Sequence, residues 1–278
     1  MQKLALLALA LTALATPAVS LTMDVQPDDR ERVIHVNLQG DVVEGDNQKF
    51  RELITPYLRA GYLLFRVNVF SPGGIVSEAI GIGEQINLLR AQTQAPFRNG
   101  STPEDAVCLR ALSTRTSIRS QAVASNSYNG KSWCTCASAC SLIWLAGLTR
   151  TGNVVGIHRS RITGQTVASM PPEDYRVQYV GTQQQIVTYA RKRGLPEPLV
   201  ERMFATRSVD MHYLEEEDLE RLRSDPYLEE VTKARCGGYP PENKANAPAY
   251  DVTENTCFRG ILKQYMREGV RAYLNGGR

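Results

Sequence analysis

The chain has 278 residues, of which 42% are hydrophobic, and 32 basic against 29 acidic side chains give it a net charge of +3. That length suits one α/β domain with a small appendage, and the hydrophobic content excludes a disordered chain. Basic and acidic residues alternate along the sequence instead of clustering, so we expect no nucleic-acid partner.

The first 20 residues are typical of a secretion signal. Lys3 precedes an apolar stretch at 4–15, and small residues at 18–20 offer a cleavage site. The alternative is a retained membrane anchor, which is disfavoured because the apolar stretch is short and ends in polar residues and a proline. We therefore expect a signal peptide at 1–20, a periplasmic or secreted mature protein, and no membrane partner after cleavage.

The next segment predicts alternating strands and helices. Residues 32–40 alternate like a strand, 46–60 have the apolar spacing of a helix, and 63–70 form a second strand. Ser71-Pro72-Gly73-Gly74 ends that strand, and apolar residues over 75–89 mark a second helix. This order favours parallel strands joined by right-handed crossovers, and hence a layered α/β core.

The pattern is interrupted at 93–131, a polar segment that indicates a surface insertion or lid with one short helix. Order returns with a short strand at 132–136, and an apolar helix begins at Ser138. Another short strand at 154–157 leads directly into His158.

The last part of the sequence predicts helices. A long helix covers 173–193, a second covers 196–206, and a Pro-rich loop separates a tail with one helix near 259–274. On the first helix we expect one apolar side, formed by Val177, Val180, Ile186, Val187 and Ala190.

Six cysteines in an exported chain are expected to form disulfides, because the compartment is oxidising. Cys236 and Cys257 are far from the others and are predicted to pair. Cys108, Cys134, Cys136 and Cys140 allow three pairings, and the sequence does not choose among them.

A zinc site is the alternative for Cys134, Cys136 and Cys140 together with His158. It is disfavoured because export favours disulfides and the spacing is unusual for zinc. We expect no metal and no cofactor.

Three features follow predicted strands, where parallel sheets bind ligands: the Gly73-Gly74 turn, Ser138 and His158. A serine hydroxyl becomes a nucleophile when an imidazole takes its proton and a third group orients that imidazole. His158 is the preferred base, because His35 lies inside a strand and His212 lies in a loop.

The motifs and their order resemble the proteolytic subunit of the Clp protease, in the crotonase superfamily. The similarity covers roughly 32–222 and is carried by Ser71-Pro72-Gly73-Gly74 with Glu78-Ala79-Ile80, by Ala137-Ser138-Ala139-Cys140 with Leu145-Ala146-Gly147, and by Gly156-Ile157-His158.

The resemblance implies a ClpP/crotonase-like layered parallel sheet with flanking helices, spanning 21–235 with the insertion at 93–131, and a C-terminal extension at 236–278. It implies catalytic Ser138, His158 and Asp210, an oxyanion hole from the amides of Gly74 and Ala139, and a peptide or protein substrate. A homo-oligomer is compatible with it, but substrate identity and ring assembly do not carry over.

The signal, the cysteines and the extension resemble periplasmic Clp-like proteins of Gram-negative bacteria. The expected function is an exported serine hydrolase. One alternative is a non-catalytic binding or assembly protein, motivated by Cys140 where the family has glycine. An acyl-CoA enzyme is a third reading, which export disfavours because coenzyme A is cytoplasmic.

Overall fold

The computed structural model describes residues 20–98, 106–110, 121–123, 135–161, 170–223, 226–236 and 256–276. The predicted signal peptide, apart from Ser20, lies outside the described residues. So do Cys134, the side chain of Cys108, and most of the predicted insertion.

The described strands form three sheets. They are β1 (Thr22–Asp28), β2 (Val33–Gln39), β3 (Leu63–Phe70), β4 (Gln92–Gln94), β5 (Phe97–Arg98), β6 (Ala106–Arg110), β7 (Gln121–Val123), β8 (Cys136–Ala137), β9 (Arg150–Thr151), β10 (Val155–Ile157) and β11 (His212–Tyr213).

The described helices flank these sheets. They are α1 (Asp46–Arg59), α2 (Val76–Leu88), α3 (Ala139–Leu145), α4 (Pro172–Lys192), α5 (Glu197–Ala205), α6 (Glu216–Arg221), α7 (Pro226–Cys236) and α8 (Thr256–Leu274).

The central sheet has the order β1-β2-β3-β4-β9 and is parallel from β2 to β9, with β1 antiparallel at one edge. A smaller sheet, β11-β10-β8, pairs β8 with β10 in parallel. A bridge between Ser71 and Cys136 connects β3 to β8. The prediction of a mixed α/β fold with a mostly parallel sheet and flanking helices is confirmed.

Burial explains why β2 and β3 read as nearly continuous apolar sequence. Both strands are buried along almost their whole length, which is typical of parallel strands covered on both faces. Helices α1, α3 and α8 contact β3, and α2 packs against all three of them. The core therefore lies between this sheet and its helices.

The structure departs from the sequence prediction at the start of the insertion. Residues 92–94 form β4, which pairs with β3 and β9 inside the central sheet. Farther along, the described strands β5, β6 and β7 form an antiparallel sheet, and no described part of 93–131 is helical. The polar composition of QTQ concealed β4, whose three residues are all buried.

The apolar side predicted for α4 is wrong in its first half. Val177 and Val180 are 65% and 58% exposed, whereas Ile186 and Ala190 are buried. The second half is anchored by Tyr189, whose hydroxyl donates to the Leu142 carbonyl over 3.1 Å. Burial raises the pKa of Tyr189 to about 12, so this hydroxyl stays a donor at neutral pH.

The C-terminal extension is integrated with the main core. Cys236 and Cys257, the pair predicted from their positions, form a disulfide with an S–S distance of 2.00 Å that joins α7 to α8. Met266 and Val270 of α8 belong to the main hydrophobic cluster. None of the described helices is long and apolar enough to cross a membrane.

Arg150 is a buried cation that connects four segments of the fold. Its guanidinium donates to the carbonyls of Leu145 (3.0 Å), Leu222 (2.7 Å) and Arg193 (3.1 Å). The side chain that makes these bonds is buried, so water cannot replace them. One residue thus holds the ends of α3, α4 and α6 against β9.

We expect Arg150→Met to lower the free energy of unfolding by roughly 3 to 5 kcal/mol, because buried carbonyls lose their donors. Arg191→Met is the matched control, since Arg191 makes an exposed ion pair with Glu197 and its loss should leave stability nearly unchanged. Urea denaturation of both variants measures the difference. Equal losses in the two variants would contradict the role of Arg150.

Candidate functional site

Ser138 lies at the turn between β8 and α3, in an unusual backbone conformation. Its φ is 57° and its ψ is −126°, a region that non-glycine residues rarely occupy. Its amide donates to the Gly156 carbonyl over 2.9 Å, and its own carbonyl accepts from the Ser141 amide and hydroxyl. Hydrogen bonds on both sides therefore hold the turn, and the partly buried serine is fixed at the start of the helix.

Gly73, in the segment that follows β3, lies next to the serine turn. A side chain at Gly73 would place its Cβ 2.6 Å from Ser138 Cβ and 3.1 Å from the Ala139 nitrogen. The φ of Gly73 is also 113°, which favours glycine. Only a residue without a side chain allows the end of β3 to approach the serine this closely.

Gly74, with a φ of 141°, follows in the same segment. The Val42 amide donates to the Gly73 carbonyl (2.8 Å), and the Ile75 amide donates to the Val42 carbonyl (2.9 Å). The Gly73 carbonyl and the Gly74 amide belong to one planar trans peptide and point in opposite directions, so the Gly74 amide points away from the Val42 amide. Three residues earlier, Ser71 bridges to Cys136 of β8.

The amides predicted to form the oxyanion hole, those of Gly74 and Ala139, can be compared with the neighbouring amide of Gly73 by their hydrogen-bond partners. The Gly73 amide donates to Ser71 Oγ over 3.1 Å. The Gly74 amide has no backbone acceptor among the described residues. The Ala139 amide belongs to the first turn of α3, where helical amides have no partner within the helix. Use of Gly74 and Ala139 as an oxyanion hole stays a prediction.

His158 follows β10, whose residue Gly156 pairs with Ala137 of β8. Because these two strands are adjacent and parallel, Ser138 and His158 follow them at the same edge of the sheet. His158 is partly buried, but both of its ring nitrogens are buried and neither makes a hydrogen bond within the described residues. The structure thus brings His158 and Ser138 to one edge without a hydrogen bond between their side chains.

The electrostatic surroundings of His158 favour the neutral imidazole. Burial lowers the pKa of His158, and nearby backbone carbonyls of Ser208, Asp210 and Arg207 oppose that shift only in part. A neutral imidazole at neutral pH can accept a proton, which is what a general base requires.

Asp210 reaches the same region through its backbone, while its carboxylate is engaged elsewhere. Arg207 binds it with two hydrogen bonds, Nε to Oδ2 at 2.5 Å and Nη2 to Oδ1 at 3.1 Å. The Arg207 guanidinium holds the pKa of Asp210 below its ordinary value. The structure does not bring the Asp210 carboxylate into contact with His158. This role of Arg207 was not predicted from the sequence, although a spacing of three residues is typical of local ion pairs.

The other two histidines lie away from Ser138. His35 is buried in β2, with its ring edge against Phe65 at 5.6 Å between centroids. His212 lies in β11, opposite Ile157 of β10. The choice of His158 as the base stays a prediction.

A disulfide joins the two ends of the turn that contains Ser138. Cys136 and Cys140 are bonded to each other, with Cα atoms 5.1 Å apart, and both side chains are fully buried. This pairing is one of the alternatives left open by the sequence. It also removes two of the three thiolates of the zinc alternative, because a disulfide sulfur carries no ligating charge. The described residues contain no cluster of three His, Cys, Asp or Glu side chains that could hold a metal.

No protein-family model matches the chain, and no curated protein matches it.

We expect Gly73→Ala to destabilise the protein by roughly 2 to 4 kcal/mol, because the methyl group would meet the Ser138 turn and the backbone conformation would be strained. Gly181→Ala is the matched control. Gly181 lies in α4 with open space around it, so its substitution should stabilise by about 0.5 to 1 kcal/mol. Thermal unfolding compares the two, and a harmless Gly73→Ala would contradict the close approach.

Proposed function

We propose that the chain is an exported serine hydrolase, most simply a peptidase, related to the Clp-protease proteolytic subunit. Ser138 is the nucleophile, His158 the general base, Asp210 the residue that orients the base, and the amides of Gly74 and Ala139 form the oxyanion hole. The single observation that carries the proposal is the conformation of Ser138, held at a strand-to-helix turn against a glycine backbone.

This conformation has a chemical use. A strained residue at the turn into a helix projects its side chain away from the backbone, while the helix start supplies free amides and a favourable dipole. A serine that only capped the helix would accept a hydrogen bond from an amide of the first turn. Ser138 makes no such side-chain cap. Its hydroxyl therefore remains available for a substrate.

The proposed reaction is acyl transfer. As Ser138 Oγ bonds to the substrate carbonyl carbon, its proton moves to His158 and the carbonyl oxygen becomes an oxyanion that accepts from the two amides. The histidine then protonates the leaving amine, and the C–N bond breaks. Water, deprotonated by the same histidine, then attacks the acyl-enzyme ester. The bond between the acyl carbon and Ser138 Oγ breaks, and the histidine returns its proton to Oγ as the acid leaves.

The orientation of His158 requires one rearrangement in this scheme. The Asp210 carboxylate has to rotate away from Arg207 and reach the imidazole, whose two ring nitrogens make no hydrogen bond within the described residues. Catalytic hydrogen bonds are often long in the free enzyme and shorten with substrate bound. Both side chains of the Arg207 pair are substantially exposed, so the ion pair is weak enough to exchange.

A non-catalytic binding or assembly protein is the second candidate. It is favoured by the Asp210–Arg207 ion pair and by the two unbonded nitrogens of His158, which leave the three residues unconnected. The Cys136–Cys140 disulfide would then serve to fix a binding surface instead of a nucleophile.

Covalent labelling distinguishes the two candidates. We expect a fluorophosphonate to label the mature protein on Ser138, with labelling abolished in Ser138→Ala and retained in Ser77→Ala, whose serine is exposed on α2. Mass spectrometry of the labelled peptide identifies the site. Because Arg207→Gln frees the Asp210 carboxylate, it should not slow labelling. If folded wild type and folded Arg207→Gln both resist the probe, the hydrolase proposal is contradicted and the non-catalytic candidate remains.

The rate of labelling should depend on pH through His158. Burial lowers its pKa, so the neutral base should persist to below the ordinary value of about 6.5. Protonation below that pKa removes the base, and the labelling rate should fall as the pH decreases through it. Single-turnover rates across the acid range measure this midpoint. A midpoint above the ordinary histidine value would contradict His158 as the buried base.

A further inference from the structure

A cleft lies at the end of the central sheet opposite to Ser138. It has a volume of about 300 Å³ and opens between α8 and the turns that lead into β2 and β3. Ser138 lies beyond the other end of β3, so the length of the strand separates the two places by on the order of 25 Å. The cleft is lined by Glu31, Arg32, Gly61, Tyr62, Leu63, Lys263, Arg267, Val270 and Arg271.

Cations dominate the lining, and its one carboxylate is already bound. Glu31 accepts from Lys263 at 2.8 Å and pairs with Arg259 at 2.5 Å. The Lys263 and Arg259 side chains lower the pKa of Glu31, so it stays ionised. Within the described chain, Arg267 and Arg271 have no ion-pair partner. Their charges thus remain available to a ligand.

The spacing of these cations is unfavourable for the helix itself. Lys263, Arg267 and Arg271 follow each other at intervals of four residues, which places like charges side by side on one face of α8. Only Arg271 lies in the last turn, where the helix dipole favours a cation. Glu31 offsets the charge of Lys263, whereas an anion in the cleft would relieve the repulsion between Arg267 and Arg271.

Arg32 completes the row from the opposite wall. Its backbone has a φ of 54°, and its guanidinium lies 4.2 Å from the centroid of the Tyr62 ring while donating to the Ala60 carbonyl. The neighbouring carboxylate of Asp29 accepts from the Tyr62 hydroxyl. These contacts hold the Arg32 guanidinium in place. Among the described residues it forms no ion pair with Asp29.

The remaining wall is apolar and comes from Leu63, Val270 and the Tyr62 ring. A guanidinium group can donate two parallel hydrogen bonds to two oxygens of one phosphate. An apolar wall can pack against a ring or a short hydrocarbon chain. The volume is at the small end of ligand pockets. A small anion with an apolar part fits these features.

We propose that this cleft binds a phosphate monoester, with Arg32, Arg267 and Arg271 on the phosphate and the apolar wall on the group that carries it. The site is separate from the proposed hydrolase site and does not depend on that function. The phosphate can belong to a free small molecule or to a lipid headgroup, because both present the same dianion.

The test uses the full mature chain with its disulfides intact. Calorimetric titration with phenyl phosphate should show saturable binding that the Arg267→Gln/Arg271→Gln double variant weakens about tenfold or more. The control variant is Arg176→Gln/Arg202→Gln, which removes two exposed charges from α4 and α5. It should bind like wild type. Circular dichroism checks that both variants are folded.

A vesicle arm identifies the source of the phosphate. Sedimentation with phosphatidic acid vesicles, against phosphatidylcholine vesicles, supports a lipid source if binding is lost in the cleft variant alone. Saturable binding of phenyl phosphate without vesicle binding supports a soluble ligand. Absence of both, equal weakening in the two double variants, or equal competition by chloride at matched ionic strength would overturn the proposal.

Discussion

The close approach of two backbone segments, Ser71–Gly74 and the turn at Ser138, is the constraint on which the molecule depends. It joins the central sheet to the smaller sheet through the bridge between Ser71 and Cys136, and it requires a bare α-carbon at Gly73. One steric condition thus connects the assembly of the core with the arrangement of the candidate site.

Much of the fold could be predicted from the sequence, because apolar periodicity reports burial directly. The patterns over 32–40 and 63–70 predicted β2 and β3, and the spacing over 46–60 predicted α1 despite an internal proline. Periodicity failed where buried residues are polar. The strand at 92–94 reads QTQ and lies in the middle of the sheet, where only its backbone pairing explains its position.

The candidate site was predictable at the level of backbone and not of side-chain partners. Parallel strands must end at the same edge, so Ser138 and His158 could be placed together from their positions after two short strands. The partner of the Asp210 carboxylate depends on whether Arg207 or His158 binds it more strongly. Arg207 gains two hydrogen bonds in an exposed loop, and sequence order alone does not weigh that against a half-buried imidazole.

The disulfide between Cys136 and Cys140 encloses a loop of five residues with the serine at its centre, and both sulfurs are inside the core. An oxidant can reach two thiols only while they are accessible, so the crosslink has to form before the core closes over α3. Maturation of the serine turn and the final packing of the helix are therefore ordered events. The oxidation of Cys136 and Cys140 thus precedes the burial of α3 when the protein folds.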